Sequence, residues 1–87
     1  MEDQAILEEL LALLGQNNIT IRREPMGGAG GGLCKISDKQ IFYIDTETQT
    51  AEMATICAQA VDQTVDIESI YLRPQIRDFL EKHRSND

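Results

Sequence analysis

Five of the chain's six glycines fall in one stretch, Met26-Gly27-Gly28-Ala29-Gly30-Gly31-Gly32-Leu33-Cys34. Glycine reaches backbone angles closed to other residues, and its missing side chain lets a ligand or another segment approach the main chain. Glycine runs cradle phosphates in two well-defined settings. A P-loop closes on Gly-Lys and then Ser or Thr, because the lysine and hydroxyl handle the terminal phosphate and its magnesium. This run closes on Leu33-Cys34. The dinucleotide fingerprint needs glycine at its first, third and sixth positions, between a strand and a helix. Counted from Gly28, the sixth position is Leu33, and a strand-like segment follows. Two readings remain. The preferred one is a flexible connection. The other is an anion nest of successive amides beside Arg22 and Arg23. The nest reading assigns ligand binding to Gly28, Gly30, Gly31 and Gly32 with Arg22, Arg23 and Arg73.

The remaining reactive side chains do not assemble a catalytic set. A nucleophilic cysteine needs a nearby cation or helix start to lower its pKa. Lys35 adjoins Cys34, but on a strand it points to the opposite face. Cys34 and Cys57 both read as small core residues, with a redox role for Cys34 the weaker alternative. His83 is the only histidine and falls in the last turn of the last expected helix, where a cation suits the dipole. A zinc site from Cys34, Cys57 and His83 lacks a fourth ligand. Arg73 and Arg77 flank the start of that helix, and salt bridges to acids are the preferred account of them. No metal or cofactor is expected, and the chain reads as non-enzymatic.

Composition narrows the partners. The net charge is −7, which opposes binding to a phosphate backbone. Aromatics are 5% of the chain and tryptophan is absent, so a stacking platform for single strands is unsupported. The acids are scattered, and solubility explains them better than nucleic-acid mimicry or a basic partner. No apolar run approaches a membrane span. The start Met1-Glu2-Asp3-Gln4 is acidic, unlike a signal peptide. With only two cysteines, a reduced cytoplasmic protein is expected.

The elements that must position these residues follow from periodicity. At 87 residues the chain is expected to form a single domain, 1–87, with a limited core. Ile6, Leu7, Leu10, Leu11 and Leu14 make one apolar stripe, predicting a helix from Glu2 to Leu14 that stops at Gly15. Ile19 to Arg23 alternates as a half-exposed strand, ended by Pro25. Leu33–Ser37 and Gln40–Asp45 read as a hairpin around Asp38-Lys39, placing Ile36 opposite Ile41 and Cys34 opposite Tyr43. Cys34, Ile36, Ile41 and Tyr43 then share one face, and Leu33, Lys35, Phe42 and Ile44 the other. Both faces of Ile41–Ile44 are apolar, which predicts a central strand covered on both sides. A second helix is expected from about Gln49 to Asp62, with Met53, Ile56, Cys57, Ala60 and Val61 buried. Asp66 suits the cap of a single turn. A last helix runs from Pro74 to His83, and Ser85-Asn86-Asp87 frays. The sum is an α+β fold: a small, three-stranded, mainly antiparallel sheet with N-terminal, central and C-terminal helices.

The segments Gly31-Gly32-Leu33-Cys34, Ile41-Phe42-Tyr43-Ile44-Asp45 and Ile70-Tyr71-Leu72-Arg73-Pro74-Gln75-Ile76-Arg77 resemble a set of short bacterial proteins that carry no assigned function. The chain is also similar to the core of ImmA/IrrE-type metallopeptidases, in which a strand leads into the helix bearing His-Glu-x-x-His. The matching stretch, Met53 to Val61, reads Met-Ala-Thr-Ile-Cys-Ala-Gln-Ala-Val. That resemblance implies a retained layout without the zinc ligands or general base. Taken together, the chain reads as a non-catalytic interaction or regulatory module, self-associating through its leucine-rich first helix. The alternative is a protein that holds a small anion with the glycine run.

Overall fold

A computed structural model describes residues 1–84; the expected fraying of Ser85-Asn86-Asp87 lies outside the described residues. The order is helix α1 (Asp3–Gln16), strands β1 (Thr20–Glu24), β2 (Gly31–Ile36) and β3 (Lys39–Asp45), and helix α2 (Thr50–Thr64). A 3-10 turn at Ile67–Ser69 and helix α3 (Pro74–Lys82) complete it. This is the expected α+β architecture.

The apolar stripe of α1 is fully used: Leu10 and Leu14 are completely buried against α2 and the sheet. Gly15 stays helical, and the helix ends at Gln16, two residues later than its sequence suggests. Asn18 takes the left-handed conformation, with φ 65°. Its amide donates to the Gly15 carbonyl at 3.2 Å, and that of Ile19 to Leu14 at 3.1 Å. These two bonds form a Schellman cap. The buried Ile19 then leads directly into β1.

The strand order is β1-β3-β2. β2 runs antiparallel to β3, but β1 runs parallel to it, with Thr20 opposite Ile41 and Glu24 opposite Asp45. The sheet is therefore mixed rather than mainly antiparallel. The hairpin register also differs from expectation. The loop is Ser37-Asp38, with Ser37 at φ 55°, so Ile36 pairs with Lys39, Cys34 with Ile41 and Leu33 with Phe42. Side chains alternate with a period of two. A slip of two positions therefore keeps every residue on its expected face.

All three helices share one hydrophobic cluster with Phe42 and Ile44, joined by the half-buried Ile21 and Leu33. β3 is central, as expected, but the helices cover one side of it only. On the other side Ile41 is buried, Tyr43 is half-buried, and Ile36 is 52% exposed.

The Asn18 cap carries a test. Asn18→Val forces a β-branched residue into the left-handed region and is expected to cost about 1–2 kcal/mol, whereas Asn18→Gly leaves stability unchanged or raises it. Urea midpoints of the two variants measure this. Equal midpoints would remove the cap from the account.

Candidate functional site

β1 and β2 flank β3 and run in opposite directions. The connection between them must therefore pass over the C-terminal end of β3. That connection is the glycine run, and the residue at the end of β3 is Asp45. Its Oδ1 accepts from the amides of Met26 at 2.8 Å and Glu47 at 2.9 Å. Its Oδ2 accepts from the amide of Gly30 at 3.0 Å and the hydroxyl of Thr48 at 2.8 Å. Asp45 is 1% exposed, and all four donors are neutral. Burial alone pushes the carboxyl pKa up. The amides of Gly30, Glu47 and Met26 and the Thr48 hydroxyl outweigh that and hold it well below the usual carboxylate range.

The crossover is tied once more by Glu47, whose Oε1 accepts from the Gly27 amide at 2.7 Å. Between these ties Ala29 donates to the Met26 carbonyl at 3.3 Å. Gly27, Gly28, Gly30, Gly31 and Gly32 all have positive φ. Gly31 is the most constrained: with φ 83°, an added Cβ would strike the Tyr43 carbonyl oxygen and lie 2.9 Å from its carbon. Glycine is therefore needed here for a close approach of two strands.

The residues assigned to an anion nest do not converge. The Gly30 amide already serves Asp45. Gly31 and Gly32 are part of β2, opposite Ile44 and Tyr43, and Gly28 is at the exposed tip. Arg22 pairs with Glu24 at 3.5 Å on the uncovered side of the sheet. Arg23, on the helix side, pairs with Glu8 of α1 at 3.5 Å. Arg73 pairs with Glu9 at 3.3 Å, beside the start of α3. Arg77 joins the 3-10 turn to α3, donating to the Ile67 carbonyl at 3.2 Å and to the Ile70 carbonyl at 3.4 Å.

The cysteines separate. Cys57 is buried in α2, as expected, and burial pushes its thiol up to about 12. Cys34 is exposed, against expectation, because β2 is an edge strand and Cys34 points to the side that no helix covers. His83 ends α3, its ring 4.4 Å from that of Phe79. Met53–Val61 lies within α2. Among the described residues no group of three His, Cys, Asp or Glu side chains could hold a metal ion. No helix among them is long and apolar enough to cross a membrane.

The uncovered side of the sheet is a candidate surface. It presents Ile36, Cys34 and Tyr43, with Met26 at its edge 37% exposed. A shallow cavity of about 320 Å³ lies beside the crossover, lined by Met26, Ala29, Gly31, Leu33, Cys34 and Tyr43. Sequence reasoning placed Cys34, Ile36 and Tyr43 on one face but expected that face to be covered. In sequence, Asp45-Thr46-Glu47-Thr48-Gln49-Thr50 offers several possible caps for α2, which hides the role of Asp45. The Asx-type bond from Glu47 to Asp45 was the available signal. The chain matches no protein-family model, no curated protein and no solved structure with which it was compared.

Two measurements check this geometry. A carboxyl with a lowered folded pKa contributes stability above its unfolded pKa and loses it as pH falls. Asp45→Asn is therefore expected to melt below the wild type at neutral pH, with the gap closing below about pH 4. A gap independent of pH would show that the charge of Asp45 does not matter. The exposed Cys34 should react with a thiol reagent in the native state, while Cys57 reacts only on unfolding. Two fast thiols, or none, would contradict the placement of the cysteines.

Proposed function

We propose that the protein is a non-catalytic interaction or regulatory module of the cytoplasm, self-associating, which offers the uncovered side of its sheet to a protein partner. The observation that carries this reading is the one-sided packing. The helices take up one face of β3 and leave Ile36, Cys34 and Tyr43 on the other. Contiguous exposed apolar side chains of this kind mark association surfaces. The cavity beside the crossover gives that surface relief, with Met26 and Tyr43 on its walls. The cytoplasm suits two free cysteines, one of them exposed.

Anion binding by the glycine run remains the alternative. It requires the amides of Met26, Gly27 and Gly30 to give up Asp45 and Glu47. A second negative charge would also have to settle beside the buried Asp45 carboxylate.

Ile36→Asp places a charge on the uncovered face at an exposed position and leaves the core untouched. Affinity capture from the native cytoplasm with wild type and variant in parallel should yield a partner that the variant loses. If every captured protein survives the substitution, the sheet face is not the docking surface. Static light scattering of the purified chain tests self-association separately; a strict monomer at the highest attainable concentration would end that part of the proposal.

A further inference from the structure

Tyr71 is 85% exposed, far more than any other large apolar side chain among the described residues. It stands between the 3-10 turn and α3, on the rim of a groove of about 300 Å³. Leu13 of α1, Leu72 and Ile76 form the apolar walls, and Glu9 and Arg73 line the same groove. Its volume is at the low end of small-molecule pockets, about 300–1,000 Å³, enough to accept an aromatic ring. Knob and hole therefore lie side by side on one patch. That is the requirement of an isologous contact, in which a residue meets its counterpart's groove and the counterpart does the same in return.

Charge points to the same occupant. A chain of net charge −7 repels its own copies over most approaches. At this groove acid and base are balanced, since Glu9 and Arg73 pair at 3.3 Å. Arg73 has a 65% exposed side chain, so it has room to reach across a two-fold axis to the other copy's Glu9. A tyrosine offers a large rigid contact with few torsions to freeze, which is why it recurs among the residues that dominate interfaces.

We propose that the groove is filled by a second copy of the chain, each Tyr71 ring seated between the other's Leu13, Leu72 and Ile76 walls. The proposal rests on the reading that the chain self-associates and names the surface responsible. A contact confined to one ring and one groove of about 300 Å³ on each side is expected to bury less than the roughly 1,200 Å² of a standard stable interface. The dimer is therefore expected at high protein concentration, with a dissociation constant of about 1 µM to 1 mM.

Sedimentation velocity up to ~1 mM protein, on wild type, Tyr71→Ser, Tyr71→Phe and Ile36→Asp, tests it. The expected result is a wild-type dimer that Tyr71→Ser weakens by about 30-fold. Tyr71→Phe keeps the ring and should stay within about threefold of wild type, as should Ile36→Asp on the other layer. A dimer that Tyr71→Ser leaves intact, or that Ile36→Asp breaks as readily, overturns the groove while leaving self-association standing. A wild type that remains monomeric at the highest concentration overturns both. The exposure of Tyr71 keeps its substitutions out of the core, and matched circular dichroism of the variants verifies that each is folded.

Discussion

A strand inserted between two others must be crossed by whatever joins them. Here β3 lies between β1 and β2, which precede it in sequence, so the β1–β2 connection runs over the end of β3. That path carries the amides of Met26 and Gly30 away from any strand partner, and at the buried Gly30 an unpaired donor is costly. One side chain resolves the difficulty. Asp45 ends β3 directly under the crossing and accepts from Met26 and Gly30 above it and from Glu47 and Thr48 beside it. The same carboxylate thus closes the crossover and starts the turn into α2. Its own burial is tolerable only because every lone-pair direction it offers is met by a neutral dipole. The glycines follow from this arrangement. The chain needs positive φ to bend around the carboxylate, and at Gly31 it needs the absence of a Cβ to rejoin the sheet.

The crossover also sets which side of the sheet stays open. Right after it the chain forms β2 and β3 as a tight hairpin, and α2 then returns onto the face already taken by α1. With three α-helices among the described residues, all packed on that face, none is left for the second one. The apolar side chains of β2 and β3 that point away from the helices consequently have no helix over them. Ile41, with Thr20 and Cys34 opposite it on the neighbouring strands, is buried; Ile36, at the hairpin end, is not.

Helices were legible in the sequence because their stripes are long and regular. Leu10 and Leu14, Met53 and Cys57, and Ile76 and Leu80 each recur at helical spacing, and each is buried. Face assignment in the strands was equally legible, since alternation survives a slip of two. Pairing was not. Thr20–Glu24 carries no mark that distinguishes a parallel neighbour from an antiparallel one, and its partner lies beyond an intervening strand. The turn at Ser37-Asp38 was hidden because serine rarely adopts the positive φ it has there. Cys34 looked like core because free cysteine is usually buried, a tendency that an edge position with no covering helix overrides. Asp45 was the largest loss. A carboxylate at a strand end reads locally as a cap, and its decisive partners lie 15 and 19 residues upstream.

The two proposed surfaces belong to opposite layers, and that separation has a consequence. The Tyr71 groove is formed by α1 and the approach to α3, within the helical layer. The open sheet face looks the other way. A pair joined groove to groove would bury helices at its centre and carry a bare sheet on each outer side. Neither contact would compete with the other for a residue, since Leu13, Tyr71, Leu72 and Ile76 are distinct from Ile36, Cys34 and Tyr43. Such a pair is bivalent. Against a partner that is itself repeated or paired, two weak faces acting together can exceed the single-face affinity by about 10²–10⁴-fold without any new contact. A small domain with little surface to spend on one strong interface would gain most from this arrangement, because the gain comes from geometry and not from area. It would also make binding depend on protein concentration through the weak dimer, so that the proposed partner would be engaged only where enough of the chain had accumulated to pair.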